Sequence, residues 1–221
     1  MTASFDLAQT DRLLTTTRSV RKRLDLDAPV DLAEIQACIG IACQAPTGGN
    51  VQDWRWLVVT DEAKRAKLAE LYNRAAGPYF AFNKQSIAER GVTGMDAILD
   101  SAEHLAAVLH RVPVHIIPCI LGRPEGQDTF SLASWYGRIF PAVWNLNLAL
   151  HTRGYGTTLT TLHLPAEAEA AELLGIPSTV HQVALLPVAR YTGEGFKPGR
   201  RRPVEEITYW DEWKATRPAG G

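Results

Sequence analysis

Near the middle of the chain, the run Val114-His115-Ile116-Ile117-Pro118-Cys119-Ile120-Leu121 decides the fold class. An almost unbroken apolar run of this length, rich in β-branched residues, is typical of a buried strand. Pro118 has no backbone N–H to give to a ladder, which indicates a sheet edge or a bulge at that point. We therefore expect a buried strand over residues 114–121 with an irregularity at Pro118.

A helix is predicted on the N-terminal side, from Asp31 to about Gln44. Asp31 and Glu34 have the spacing of a capping box, in which acidic oxygens accept the free amide protons of a helix start. Apolar residues then recur at helical spacing, at Leu32, Ile35, Ile39 and Ala42. Pro46 disfavours helix at the residue before it, which sets the end.

The remaining predicted elements are strands over 54–60 and 181–189 and helices over 61–75, 95–110, 132–152 and 165–174. Leu68, Leu71 and Tyr72 share one face of the second helix. The helix over 132–152 carries Trp135 and Trp144 and is expected to lie in the core, with a kink or break at Pro141 and an end at Gly154.

Residues 77–94 are expected to be irregular, because several glycines and Pro78 interrupt them. A polar loop is expected over 122–128. Since helices and strands do not alternate as βα units, the order of elements indicates an α+β sandwich rather than a doubly wound parallel sheet.

Composition excludes several classes of protein. A length of 221 residues suits one large domain, and 23 basic against 24 acidic residues lack the excess positive charge of a nucleic-acid binder. No apolar run approaches the roughly 20 residues that span a bilayer, and the first residues do not resemble a signal peptide. Three cysteines indicate a reducing, cytoplasmic setting, and the six histidines show no metal-ligand spacing. We expect no metal, nucleic acid or membrane partner.

Two arginine clusters stand far apart in the sequence: Arg18-Ser19-Val20-Arg21 and Arg200-Arg201-Arg202-Pro203. A planar guanidinium binds phosphate in a bidentate way and keeps its charge. One hypothesis is that both clusters converge on a single anion. The alternative is ordinary solvated surface charge, which is where most charged residues are found.

The predicted first helix leads into Ala45-Pro46-Thr47-Gly48-Gly49-Asn50-Val51-Gln52. Adjacent glycines allow close approach of a ligand, and the polar side chains supply hydrogen-bonding groups. A plain turn between helix and strand is the alternative interpretation. No G-x-G-x-x-G or Walker-type loop is present, so Rossmann and P-loop modes of phosphate binding are excluded.

Taken in order, these segments resemble the nitroreductase family of FMN-dependent oxidoreductases. The R-S-x-R block followed by A-P-T-x-x-N-x-Q-x-W is the most specific part, joined by the turn from Gly154 to Leu162 and by residues 193–203. The resemblance covers roughly 12–75 and 130–210. Residues 77–130 match nothing diagnostic, and the family varies most in this region, where substrate selectivity tends to lie.

The resemblance implies a single domain over 1–221 with an α/β/α sandwich, a central and mainly antiparallel sheet, and a variable excursion over about 77–130. It further implies an intertwined homodimer with two FMN sites at the subunit interface. In that arrangement the tail over about 193–221, which carries Trp210 and Trp213, wraps around the partner subunit.

The same resemblance assigns residues to the cofactor phosphate. Arg18, Ser19 and Arg21 correspond to the residues that hold the phosphate and the polar edge of FMN. Arg201 stands in the place of the C-terminal phosphate-binding arginine, with Arg200 as a helper.

Other residues are assigned to the flavin ring. The segment that reaches an FMN held mainly by the other subunit corresponds to Pro46, Thr47 and Asn50, with Gln52 beside it. Thr161 and Leu162 correspond to the turn whose backbone lies near the reactive N5. Thr17 and Asp53 depart from the family pattern, which more often has a basic residue and a proline there, and the Thr160-Thr161-Leu162 turn replaces a Gly-containing or acidic one.

The activity implied by the resemblance is a ping-pong reaction. NADH or NADPH gives a hydride to N5 of FMN, and a nitroaromatic, quinone or similar electron-poor acceptor then takes it, with no side chain as acid, base or nucleophile. Two alternatives stay open. One is a flavoprotein of this fold with different chemistry, such as dehalogenation, dehydrogenation or flavin fragmentation. The other is a protein that binds FMN without turnover.

Overall fold

The computed structural model describes residues 5–90 and 94–216. These form two compact units, one of residues 17–194 and the other of residues 5–16 and 195–216. Each unit is described by itself below.

In the described residues the helices are α1 (Leu7–Thr16), α2 (Leu32–Ala42), α3 (Glu62–Arg90), α4 (Asp96–Val108), α5 (Thr129–Gly137), α6 (Phe140–His151) and α7 (Glu167–Leu174). The strands are β1 (Leu24–Asp25), β2 (Trp54–Val59), β3 (Val114–Leu121), β4 (Tyr155–Thr157), β5 (Val180–Gln182) and β6 (Leu186–Tyr191). Short 3-10 turns lie at 48–50, 109–111, 164–166 and 204–206.

The strands form one antiparallel sheet in the larger unit, with β3 at its centre. Strand β2 pairs with β3 along its length, from Trp54 opposite Ile120 to Val59 opposite His115. On the other edge, β5 pairs with residues 119–121 of β3 and β6 with residues 114–116. Strands β1 and β4 both pair with β6. The predicted α+β class with a mainly antiparallel sheet is confirmed.

Both faces of β3 are covered, because residues 114–120 are all buried. Alternate side chains point to opposite faces. Val114, Ile116 and Ile120 belong to a core that also takes side chains from α2, α5 and α6, including Ile35 and Leu146. On the other face, the His115 ring contacts the Leu109 carbonyl at 3.0 Å, next to the end of α4. The sheet is therefore sandwiched between helical layers.

Pro118 lies at an interruption of the sheet and not at its edge. On this edge of β3 the pairing is interrupted between β5 and β6. At the interruption the Val183 N–H donates to the Pro118 carbonyl at 2.9 Å. In a strand the N–H and C=O of one residue point the same way, so the donor that proline lacks is missing where the ladder breaks. The predicted irregularity is present, and the predicted strand over 181–189 is two strands.

The helix from Asp31 is confirmed, since its carboxylate accepts from the Ala33 N–H at 2.8 Å. The predicted capping role of Glu34 is wrong. Its carboxylate instead accepts from the Tyr155 hydroxyl at 2.6 Å and from Arg190 at 2.9 Å. The helix predicted over 132–152 is two helices, α5 and α6, because Pro141 stands in the first turn of α6, where its missing N–H costs nothing.

The irregular structure predicted for 77–94 is wrong up to Arg90, because α3 continues through Pro78 to that residue. Buried side chains explain the continuation: Tyr72, Ala76 and Phe80 recur every four residues on one face. Pro78 lies on the exposed side, where water can satisfy the carbonyl that loses its partner. Residues 91–93, which include Gly91, lie outside the described residues.

The segment that carries the first arginine cluster is fixed by a close backbone contact. The Val20 N–H donates to the Thr157 carbonyl at 2.9 Å, and the Val20 side chain is buried. A Cβ at Gly156 would lie 2.8 Å from Val20 Cγ1, which is closer than real Cβ contacts come. Only glycine at 156 lets strand β4 approach this segment so closely.

The smaller unit contains α1 and the C-terminal segment. The Asp6 carboxylate accepts from the Gln9 N–H at 3.0 Å at the start of α1. In the C-terminal segment the Tyr209 and Trp213 rings meet edge to face at 4.8 Å, and Trp213 is largely exposed.

We predict that Gly156→Ala lowers the free energy of unfolding by about 1–3 kcal/mol, since the added methyl forces Val20 or β4 to shift. Urea unfolding followed by circular dichroism measures this. Gly40→Ala is the control: Gly40 lies within α2, and a methyl group added there would meet no neighbouring element within 4 Å. Alanine at position 40 should therefore be neutral or stabilising by up to about 1 kcal/mol. Equal effects of the two variants would contradict the steric account.

The stability should also depend on pH through two buried histidines. Burial lowers the pKa of His115 and of His163 to about 4, whereas an unfolded histidine titrates near 6.5. Between these values the unfolded chain binds more protons, so stability falls as pH decreases from 6.5 towards 4. We expect a loss of about 1–2 kcal/mol for each histidine by pH 5.

Urea unfolding at pH 7 and pH 5 tests this expectation. His163→Phe should reduce the pH dependence, because it removes one of the two groups whose pKa burial lowers. An identical pH dependence in His163→Phe and the unaltered chain would refute the assignment.

Candidate functional site

Two cavities flank the Arg18–Arg21 segment in the larger unit. The first has a volume of about 300 Å³ and is lined by residues 17–20, by Trp144, Asn147 and His151 of α6, and by residues 157–159. The second has a volume of about 230 Å³ and lies beside Arg21. Leu159 lines both cavities. We call these two neighbouring cavities the cleft, and their combined volume lies in the range that small organic ligands occupy.

The arginine segment presents its polar side chains to this cleft. Val20 is buried, whereas Arg18 and Ser19 are exposed and line the first cavity, and Arg21 lines the second. Burial lowers the pKa of Arg21, but a guanidinium keeps its charge in proteins. A fixed positive charge therefore stands in a partly desolvated cavity, where it attracts an anion more strongly than in water.

The turn that follows β4 also lines the cleft. Thr160 is held by two backbone hydrogen bonds, donating to the Leu185 carbonyl at 3.1 Å and accepting from the Leu185 N–H at 2.8 Å. Thr161 and Leu162 follow, and both line the second cavity together with Arg21. The assignment of these three residues to FMN stays a prediction. Thr158, which is buried and lines the first cavity, has a hydroxyl without a partner among the described residues.

The other predicted loop lies between α2 and β2. The Thr47 hydroxyl donates to the Val51 carbonyl at 2.5 Å, and Gly49 and Asn50 both have positive φ, at 62° and 54°. Pro46, Thr47, Asn50 and Gln52 line neither of the two cavities. Their assignment to a cofactor held by a second subunit stays a prediction.

Asp53, which stands where the family often has proline, makes an ion pair. Its carboxylate accepts from Arg138 at 2.5 Å, and both side chains are largely buried. The pair joins the start of β2 to the connection between α5 and α6. Breaking such a pair by removing one partner leaves an uncompensated charge, so Asp53 has a structural role here.

Arg200 and Arg201 belong to the smaller unit. Arg201 donates to the Arg200 carbonyl at 2.9 Å, and both residues are exposed. Their convergence with Arg18 and Arg21 on one anion stays a prediction.

Three residues that line the cavities were not predicted from the sequence as site residues. Tyr72 was predicted only as part of an apolar helix face, yet its hydroxyl is 3.1 Å from Thr160 Oγ1 and its ring lines the second cavity. Trp144 was expected in the core, yet it is 46% exposed and lines the first cavity with the buried Asn147. The sequence did contain a signal for these cavity residues. Each is an aromatic residue with a polar atom, or an asparagine, on an otherwise apolar helix face.

Residues 5–90 and 94–216 contain no group of three or more His, Cys, Asp or Glu side chains placed to hold a metal ion. Among the helices of these same ranges, none is both long enough and apolar enough to cross a membrane.

Curated proteins similar to this chain include an iodotyrosine deiodinase and an NADH dehydrogenase. An iodotyrosine deiodinase of Thermotoga neapolitana is 25% identical over 175 residues, which cover 77% of this chain and 83% of that protein. An NADH dehydrogenase of Thermus thermophilus is 27% identical over 209 residues, which cover 87% of this chain and 91% of that protein.

The fold is also found in solved structures. The structure of an oxidized iodotyrosine deiodinase bound to FMN and 3-iodo-L-tyrosine aligns with a TM-score of 0.65 and 21% identity, over 92% of this chain and 98% of that one. The sequence pattern of the nitroreductase family matches residues 14–190, which include the first arginine segment, both loops and the central strands of the sheet. The chain belongs to the nitroreductase family.

Proposed function

We propose that the protein is an FMN-dependent oxidoreductase that uses NADH or NADPH to reduce a small, electron-poor organic acceptor. The observation that carries this proposal is the cleft between Arg18–Arg21 and the turn at residues 157–162, in a chain of the nitroreductase family. Both walls of the cleft come from segments that match the family pattern.

The donor set of the cleft fits FMN. Arg18 and Ser19 offer a charged fork and a hydroxyl to a phosphate. Thr158, whose buried hydroxyl has no partner in the described part of the chain, lines the same cavity. Arg21 stands in the second cavity among apolar side chains such as Leu162 and Phe80, a mixture suited to a flat ring with one polar edge. A charged group next to apolar walls is what a phosphorylated aromatic cofactor requires.

When bound, FMN would supply the hydride chemistry, and the protein binds and orients it. Arg21 holds a permanent positive charge where negative charge develops on reduction, and the low local dielectric strengthens the attraction. The backbone of Thr160 is fixed to Leu185, so the turn keeps its shape. We assign no acid, base or nucleophile to a side chain.

The proposal includes a homodimer. Pro46, Thr47, Asn50 and Gln52 would then complete the site of the partner subunit, and Arg200 and Arg201 would join Arg18 at the phosphate. The exposure of Trp144 on α6 supports a further protein surface at this face, since large aromatic side chains are enriched at interfaces.

A second candidate keeps the cofactor and changes the acceptor. Similarity to an iodotyrosine deiodinase, together with Tyr79 and Phe80 in the second cavity, favours reductive dehalogenation of an aromatic compound. Incubation with NADH or NADPH and either a nitroaromatic, a quinone or a halogenated phenol separates the two candidates by product analysis.

One prediction from the proposed function concerns the cofactor and its reduction. The purified protein should be yellow, or become so with FMN, and anaerobic NADH or NADPH should bleach the flavin absorbance in stopped-flow mixing. Bleaching by only one nicotinamide would identify the preferred donor. A protein that stays colourless with FMN would refute the proposal, and a yellow protein that neither nicotinamide bleaches would favour FMN binding without turnover.

Another prediction from the proposed function concerns the two arginine clusters. Arg18→Ala and Arg201→Ala should each weaken FMN binding by about 1.5–3 kcal/mol, because each removes a charged hydrogen-bond donor to the phosphate. Fluorescence titration with FMN measures the affinity. Arg202→Ala is the matched control and should have little effect. If Arg201→Ala binds FMN as tightly as Arg202→Ala, the second cluster has no part in the site.

A further inference from the structure

A buried hydroxyl pair lies in the second cavity, beside Arg21. Tyr72 is only 2% exposed, and its hydroxyl oxygen is 3.1 Å from Thr160 Oγ1. Both residues line the cavity together with Arg21. The contact joins α3 to the turn after β4, two elements that lie far apart in the sequence.

The shape of the turn does not require this contact. Both backbone groups of Thr160 are already bonded to Leu185, at 3.1 and 2.8 Å. A phenylalanine at position 72 would bury the same ring without a hydroxyl to be desolvated, and burying a hydroxyl has a free-energy cost. Packing alone therefore does not explain why residue 72 carries a hydroxyl.

The two hydroxyls together have one proton to spare. Each carries one proton and can also accept, so their mutual hydrogen bond uses one proton, whichever residue is the donor. The second proton is left to donate to another group. Burial raises the pKa of Tyr72, which keeps the phenol protonated at neutral pH. The pair thus offers one neutral donor next to the fixed charge of Arg21.

We propose that Tyr72 and Thr160 form a hydroxyl pair that donates to the polar edge of bound FMN beside Arg21 and favours its reduced state. This inference rests on the proposed function. A donor aimed at an edge that gains negative charge stabilises the reduced cofactor more than the oxidised one. The pair acts in the same direction as Arg21, and neither hydroxyl has to move a proton during the reaction.

The test compares variants that remove one or both hydroxyls and keep the shape of the side chains: Tyr72→Phe, Thr160→Val and the double variant. For each, the affinity for oxidised FMN is measured by fluorescence titration and the two-electron reduction potential by titration against a reference dye. We expect the double variant, which keeps neither hydroxyl, to lose up to about tenfold in its preference for reduced over oxidised FMN, a decrease of up to about 30 mV. Each single variant keeps one hydroxyl that can still donate, so it should lose only a part of this preference.

Tyr136→Phe is the matched control. Tyr136 is a tyrosine of α5 that lines neither of the two cavities. The loss of its hydroxyl should leave the potential unchanged, and a decrease equal to that of the double variant would overturn the assignment to the buried pair. Thr160→Ser, which keeps the hydroxyl, should have the potential of the unaltered protein.

The outcomes separate this inference from the proposed function. If the unaltered protein binds no FMN, the proposed function fails, and this inference fails with it. If it binds FMN and the double variant has its potential, the hydroxyl pair alone is refuted. Should the double variant fail to fold by circular dichroism, the two single variants decide the matter, and an unchanged potential in both refutes the pair.

Discussion

The larger unit is organised by the burial of β3 on both faces and the pairing of both its edges. A strand without contact to water must satisfy its backbone groups within the sheet, so it needs partners along its whole length. Strand β2 supplies one edge, and β5 and β6 share the other. Helices then cover both faces, because apolar side chains project to both sides.

The break between β5 and β6 connects this central strand to the candidate site. The chain leaves β3 opposite Pro118, and Leu185, within the break, holds Thr160 by two hydrogen bonds. The Thr160 hydroxyl contacts the Tyr72 hydroxyl, and both residues line the second cavity. One wall of the cleft is thus an extension of an irregularity in the sheet, whereas the arginine wall depends on the close contact of Val20 with Gly156.

Local sequence signals predicted the elements whose structure is decided locally. The cap at Asp31, the break at Pro141 and the buried run at 114–121 all depend on a few neighbouring residues. The prediction failed for α3 beyond Ala75, where packing of Ala76 and Phe80 outweighs the effect of Pro78. Tertiary contacts decided that outcome, and a single sequence does not display them.

The same limit applies to the site. Arg18, Arg21 and the turn at 161–162 could be assigned because they match a family pattern, whereas the polar role of Tyr72 depends on a contact with Thr160 that only the folded chain makes. For Glu34 the local signal was misleading. Its spacing from Asp31 predicts a capping role, but in the folded chain its carboxylate binds Tyr155 and Arg190, which are distant in sequence.

The contact between Val20 and Thr157 has a consequence for biosynthesis. The arginine segment leaves the ribosome early, but β4 and β6, which hold it and the adjoining β1, are made near the end of the unit. Contacts this distant in sequence form late and slowly. A nascent chain that stops before β6 would display its first arginines with no cleft around them, so the cleft can form only when translation of the unit is almost complete.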